Sequence, residues 1–178
     1  WPEKARTVAQ SPHVQGSPDV REKGGLDIVG WCAHNGLPAG SVVDLGMLPN
    51  HRIPDLLADV DCAVFASRYE SGTNLPAMEC MAMGLPVVLS DNTGHQDIID
   101  DAWCYPLRAQ GPVAPPAGWG NDGWGESSVD ELDAALEAIF SDREAAASRG
   151  QAAAARMTQL AWPDQVDALL KVVAETAG

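Results

Sequence analysis

Residues Ser67 to Ser90 read SRYESGTNLPAMECMAMGLPVVLS, and this stretch decides the fold. Apolar runs lie before it and at its end, Cys62-Ala63-Val64-Phe65-Ala66 and Pro86-Val87-Val88-Leu89. Neither alternates with polar residues, so both read as strands buried on two faces. Between them, Glu70-Ser71-Gly72-Thr73 reads as a loop and Leu75 to Met83 as a helix. Thr73 or Asn74 can cap that helix, and Pro76 is tolerated in its first turn. Strand, loop, helix and strand in this order specify a parallel pair with a crossover.

Outward from this unit the pattern continues. Val42, Val43 and Leu45 before Gly46 predict another short buried strand, and Ile53 to Asp59 a short helix beginning near Pro54. Gly94 to Asp100 is expected to be helical, and Trp103-Cys104-Tyr105 a fourth short strand. Leu26, Ile28, Val29, Trp31 and Cys32 suggest an amphipathic helix that stops at Asn35-Gly36. Upstream, Pro2 to Gln10 suggests a further short helix, after which Pro12 and Pro18 break the pattern. The fold class is therefore α/β, a Rossmann-like parallel sheet flanked by helices.

The second half of the chain has a different texture. Residues 106–126 carry four prolines and five glycines, including Trp119-Gly120-Asn121-Asp122-Gly123-Trp124-Gly125. They read as one long loop. Its two tryptophans either stack on a sugar or base, or pin the loop to the body. Ser128 and Glu131 have the spacing of a capping box before a helix to Phe140. Ser141-Asp142 caps an alanine-rich helix to Leu160, and Pro163 opens another that runs to the end. Residues 127–178 thus form a helical C-terminal extension.

Composition narrows the function. The chain has 178 residues and is 46% apolar, enough for one folded domain. Its formal charge of −14 opposes nucleic acid and anionic membranes. No apolar run is long enough to span a bilayer, and no secretory leader opens the chain. The four cysteines, Cys32, Cys62, Cys80 and Cys104, form no paired motif, which predicts free thiols and a cytoplasmic setting. His13, His34, His51 and His95 lack zinc spacing. There is no phosphate-binding P-loop, dinucleotide fingerprint or nucleophile elbow, which disfavours the corresponding enzyme classes.

The loop and helix at 70–79 are where chemistry is expected. In an open parallel sheet, ligands sit outside the carboxyl ends of the strands. There a glycine-containing loop runs into a helix N-terminus, whose free amides and dipole suit a diphosphate. Glu79 lies about 7.5 Å further along the helix axis at 1.5 Å per residue. Its neighbours are Met78, Cys80 and Met81, and a carboxylate among such residues is costly to bury without partners. It either meets a vicinal diol, such as a ribose, or faces solvent or pairs with an arginine.

These residues resemble a known pattern. Glu70, Gly72, Leu75, Glu79, Met81-Ala82, Gly84 and Pro86-Val87-Val88 are similar to the two-glutamate signature of retaining GT-B glycosyltransferases, notably family 4. Leu45-Gly46, Asp61 to Ser67 and Asn92-Thr93-Gly94-His95-Gln96-Asp97 extend the likeness over residues 40–107. The resemblance implies that the chain is the C-terminal, nucleotide-sugar-binding domain of such an enzyme. In that family the helix-borne glutamate binds the nucleotide ribose, the first glutamate meets the donor sugar, and amides between them contact the diphosphate. Glu79 takes the ribose role and Glu70 the sugar role. Gly72, Thr73, Asn74 and Leu75 line the phosphates, and Arg68 either serves them or pairs with Glu70. Glu70 and Glu79 are nine positions apart where the family has eight, so the loop holds one extra residue.

The same resemblance implies transfer of a sugar from a nucleoside diphosphate with retention, without a required metal. The acceptor site is expected on a second, N-terminal domain preceding Trp1, together with the basic pair that neutralises the diphosphate. Residues 1–178 alone are then expected to be inactive. Glu22-Lys23-Gly24 imitates that basic segment, but about twenty residues before Leu45 leave no room for the strand and helix that should follow. Asp59-Val60-Asp61 imitates the metal motif of GT-A enzymes, yet reads as a helix end entering a strand. Two other functions share the architecture: a module that holds a nucleotide sugar without transferring it, and an epimerase or phosphorylase.

Overall fold

The computed structural model describes residues 27–45, 48–114 and 120–176. The helix expected at Pro2–Gln10, the Glu22-Lys23-Gly24 segment, Leu26, Gly46 and Trp119 lie outside them. The chain divides into two compact units, residues 1–53 and 54–178.

In the first unit, helix α1 spans Ile28–His34. Asp27 caps it, its carboxylate accepting the Gly30 amide at 2.8 Å, and Asn35 closes it before a left-handed Gly36. The helix expected here is thus present. The strand expected over residues 42–45 is not: no strand is assigned there, and Val43 is 74% exposed. The apolar run is real, but the described part of this unit offers no second strand to pair with it. A 3-10 turn at Asn50–Arg52 leads into the short helix α2, Ile53–Leu57, with Pro54 in its first turn.

The second unit is built on a parallel sheet of three strands in sequential order. Strand β1 is Ala63–Phe65, β2 is Val87–Ser90 and β3 is Tyr105–Leu107. Val64 pairs with Val88, and Val88 with Tyr105. Helix α3, Leu75–Ala82, connects β1 to β2. All four β2 residues are fully buried, for a reason visible in the packing. Val87 and Leu89 enter a core with Ala77, Cys80, Met81, Ile98 and Met157. Val88 enters a separate core with Leu107, Ile139 and Ala146. Apolar residues are needed on both faces, so the strand does not alternate.

Two elements differ from expectation. Residues 94–100 are not an α-helix; a 3-10 turn spans Thr93–Asp97. His95 lies within that turn and Ile98 closes it, its amide donating to His95 O at 2.9 Å, and both are buried. The third strand begins at Tyr105 rather than Trp103, because residues 100–104 form a turn. Cys104 N donates to Asp100 O at 3.0 Å, and the Trp103 indole donates to Ile98 O at 2.8 Å. Pro106, which lacks an amide proton, is accommodated because β3 is the last strand of the described sheet.

The long loop is closed at its base. Strands β4, Gln110–Gly111, and β5, Glu126–Ser127, pair antiparallel. Helix α4, Val129–Ser141, follows. Its capping box is only half formed. Ser128 Oγ accepts the Glu131 amide, but Glu131 takes the Ala109 amide at 2.8 Å instead of closing on Ser128. Helix α5, Arg143–Thr158, is capped by Asp142, and helix α6 spans Trp162–Thr176. None of the α6 residues is buried.

Helix α5 turns a stripe of small residues, Ala146, Gly150 and Ala153, toward the body of the unit. The contact is closest at Gly150, where an added Cβ would lie 2.0 Å from the Gly84 carbonyl oxygen. That neighbour is backbone and cannot rotate away. Gly150→Ala should therefore lower stability by about 1–3 kcal/mol despite its gain in helix propensity. Chemical denaturation measures this, and an unchanged or raised midpoint would refute the close packing.

Candidate functional site

Three parallel strands end at Phe65, Ser90 and Leu107, and the segments that leave those ends converge. The first is the glycine loop, residues 66–74. The second is the turn Asn92–Asp97. The third comprises Ala109–Gly111 and its partner segment 121–127.

Asn92 joins all three. It is 3% exposed, and its side-chain amide donates to Ser67 O at 2.9 Å and Gln110 Oε1 at 3.0 Å, with Gly125 O at 3.4 Å. Gln110 in turn donates to Ser127 Oγ, which meets Ser90 Oγ at 2.7 Å. Asn92, Gln110, Ser127 and Ser90 thus satisfy one another and the neighbouring carbonyls, as a stable polar network requires. Trp124 stacks on Tyr69, with ring centroids 4.4 Å apart and planes within 2°. This tryptophan therefore pins its loop to the glycine loop. Gly125 N donates to Arg68 O at 2.9 Å, and the Arg68 guanidinium pairs with Glu126.

The glycine loop rests on the second turn. Glu70 N donates to Thr93 Oγ1 at 2.7 Å, and Gly94 N to Glu70 O at 3.2 Å. A Cβ on Gly94 would lie 1.8 Å from Gly72 O, so only glycine allows the two loops to approach this closely. Thr93 accepts a positive φ of 41° to make the turn.

The residues expected at the site are placed as follows. Gly72 is exposed, with open space where its Cβ would be. Asn74, not Thr73, caps α3. It adopts a left-handed conformation with φ 59°, and Oδ1 accepts the Ala77 amide at 3.1 Å. Its side chain is 8% exposed and is committed to that role. Leu75 begins the helix and is exposed. Glu70 is half-buried. Glu79 is exposed, while Ala77, Cys80 and Met81 face the core. The burial cost that its sequence neighbours suggested does not arise. Arg68 answers Glu126 across 58 positions of sequence.

A cavity of about 320 Å³ adjoins this arrangement. Thr73, Leu75 and Met78 form one wall, Asp97 and Ile98 another, and Leu160, Trp162 and Gln165 a third. Its volume lies at the lower end of the range for small-molecule sites.

His95, which lacks zinc spacing and lies in the turn that extends the family likeness, has no role assigned from sequence. It is fully buried, with Nδ1 3.0 Å from Ser90 O and Nε2 2.8 Å from Asn74 Nδ2. Burial pushes its pKa below the usual histidine value, against the Ser90 hydrogen bond and the Glu70 charge. Burial also raises the Cys104 thiol to about 11 and pushes Cys80 upward, so neither is an activated nucleophile. Of the Asp59-Val60-Asp61 segment, Asp61 is held by Arg143 at 2.7 Å. Among the described residues no helix is long and apolar enough to cross a membrane.

The chain matches known proteins in sequence and in fold. The family described as Glycosyl transferases group 1 matches residues 14–116. The chain is 33% identical over 139 residues to an O-antigen chain mannosyltransferase B from Escherichia coli, a match covering 76% of this chain and 31% of that protein. The fold resembles that of a sucrose-phosphate synthase from Thermosynechococcus elongatus, with a TM-score of 0.65 and 20% identity. That likeness covers 94% of this chain and 37% of the synthase. The chain therefore spans 31% and 37% of the lengths of these two proteins.

The approach of Gly94 to the Gly72 carbonyl leaves no room for a side chain. Gly94→Ala must displace the glycine loop from the Thr93–Gly94 turn, at about 1–3 kcal/mol of stability. It should also raise amide exchange at Glu70 and Gly94, the two residues that share the loop contact. Wild-type exchange at both positions would mean that the loops are not in contact.

Proposed function

The chain belongs to the Glycosyl transferases group 1 family, and from that premise we infer that it is the domain that holds the sugar donor, a nucleoside-diphosphate sugar. The observation that carries this reading is the open glycine bend at Gly72, which runs into a capped helix N-terminus at the carboxyl edge of a parallel sheet. Unfilled space over backbone amides is what a diphosphate requires.

In this reading the amides of Gly72, Thr73, Asn74 and Leu75 line the diphosphate. Glu79, one turn into the helix, takes the ribose hydroxyls. Glu70, anchored through its backbone to Thr93 and Gly94, orients the sugar hydroxyls. As the glycosidic bond breaks, negative charge grows on the departing diphosphate, and the aligned amides stabilise it. No metal has a part in the scheme. Arg68 can serve the phosphates only by sharing or leaving Glu126.

The sugar leaves with retention at its anomeric carbon. Likeness to a mannosyltransferase favours a hexosyl donor. The acceptor binds outside this domain, on the remainder of a two-domain enzyme, so residues 1–178 do not transfer sugar unaided. Four free thiols suit a reducing, cytoplasmic compartment.

Glu79→Gln in the intact enzyme tests the ribose assignment. Nucleoside diphosphate binding should weaken by about 1.5–3 kcal/mol, the range for a hydrogen bond to a charged group. Because Glu79 is exposed, the unfolding midpoint should not move. Calorimetric titration measures the affinity, and an unchanged value would remove Glu79 from the site.

A further inference from the structure

The buried pair Asn74 and His95 allows only one arrangement of protons. Ser90 O is a carbonyl and can only accept, so the His95 Nδ1 that faces it at 3.0 Å carries hydrogen. In the neutral ring Nε2 is then bare, and it accepts from the Asn74 amide at 2.8 Å. That contact fixes which way the Asn74 side chain points. Nδ2 faces His95, so Oδ1 faces the Ala77 amide, where it caps the helix at 3.1 Å. Both residues are buried, with His95 at 0% and Asn74 at 8% exposure.

We propose that His95 is a positioning residue for the donor site: its neutral, Nδ1-protonated ring holds Asn74 as the left-handed cap that shapes the glycine loop and helix tip. This rests on the reading of that tip as the diphosphate site. A second proton on the ring would set Nε2–H against the Asn74 amide. Asn74 would have to turn its oxygen to His95, which would place its own N–H groups against the Ala77 N–H. The cap would be lost, together with the support for the φ of 59° at Asn74.

The surroundings set the direction of pH dependence. Burial disfavours the charged ring, while Glu70 on the glycine loop is the charged group that acts in its favour. The strand and helix packed beside the ring contribute the Ser90 carbonyl and the Asn74 amide. A histidine with a lowered pKa contributes stability that is complete above the ordinary histidine value. That contribution is lost as pH falls through the lowered value. Acid therefore loosens the helix tip.

Two substitutions separate this role from general support of the fold. His95→Gln reaches the Nε2 position, keeps an acceptor for Asn74, and has no proton to gain. His95→Asn reaches only the Nδ1 position and loses Asn74. Each removes one buried hydrogen bond, so both should reduce stability. Ring nitrogen chemical shifts of the intact protein should show hydrogen on Nδ1 and a bare Nε2. Amide exchange protection at Ala77 should survive in His95→Gln and drop by roughly tenfold in His95→Asn, the scale of one lost hydrogen bond. On acidification it should fall in the wild type but not in His95→Gln. Affinity for UDP, GDP and ADP should follow Ala77 protection.

A protonated Nε2 at neutral pH would overturn the proposal. So would Ala77 protection that ignores the His95 titration. That titration stands even if His95→Asn fails to fold. The ring and Ala77 measurements need no ligand, so they decide the Asn74 coupling alone. If they come out as expected and the wild type binds none of the three nucleotides, the donor reading fails instead.

Discussion

Val87, Val88, Leu89 and Ser90 are each fully buried, with a strand on either side and a core against either face. Such a strand has no freedom to shift register without exposing apolar surface or orphaning its amides. Its carboxyl end is therefore a fixed point, and the site is referred to it. Ser90 O holds His95, Ser90 Oγ joins Ser127, and Asn92 ties the three neighbouring segments together. The loops are irregular, but each is bonded within a few residues to this one strand end. Irregular backbone can present amides reproducibly only when it is anchored in this way.

Charge is organised separately from geometry. The chain carries −14 overall, and the described arginines around the sheet are largely occupied by carboxylates or aromatic rings. Arg108 lies 2.7 Å from both Asp91 and Asp101, Arg143 pairs with Asp61, and Arg149 lies over Tyr105. A helix end contributes only about 0.3–2 kcal/mol toward an anion. In the proposed donor reading, amides at the α3 tip would thus orient a diphosphate and respond to charge as it develops. Neutralising it fully requires cations that approach from elsewhere or an Arg68 that exchanges partners.

What could be read from the sequence was what is local. The two strands and the helix between them follow from apolar runs and from Pro76 near a helix start, interactions within a few residues. Asp142 was legible as a cap for the same reason, and Asn74 as one of two candidates beside Thr73. The missing strand at 42–45 shows the limit of that logic, since an apolar run needs a partner as well as a pattern. The helix expected over Gly94 to Asp100 is a short 3-10 turn at Thr93–Asp97 instead, and a segment this short does not separate the two helical periods by sequence. The pairing of Asn74 with His95 spans 21 positions and that of Arg68 with Glu126 spans 58. No spacing rule reaches so far. A histidine five residues beyond a buried strand, with no metal-binding neighbours, was the one available hint of a structural acceptor.

Glu79 shows how a sequence argument can rest on the wrong premise while the residue keeps its interest. Its neighbours Met78 and Cys80 suggested burial, and burial suggested a need for partners. The helix instead turns Ala77, Cys80 and Met81 inward and leaves Glu79 in water. For a ligand-binding carboxylate this is the more economical arrangement. A buried, unpaired carboxylate would take up a proton and lose its acceptor strength. An exposed one carries no such burial cost, and its placement comes from the backbone beneath it. That backbone is held by three inward side chains, by the Asn74 cap at one end and by α5 at the other. Position is thus set by the buried face of the helix, and chemistry is left to the face that a ligand can reach.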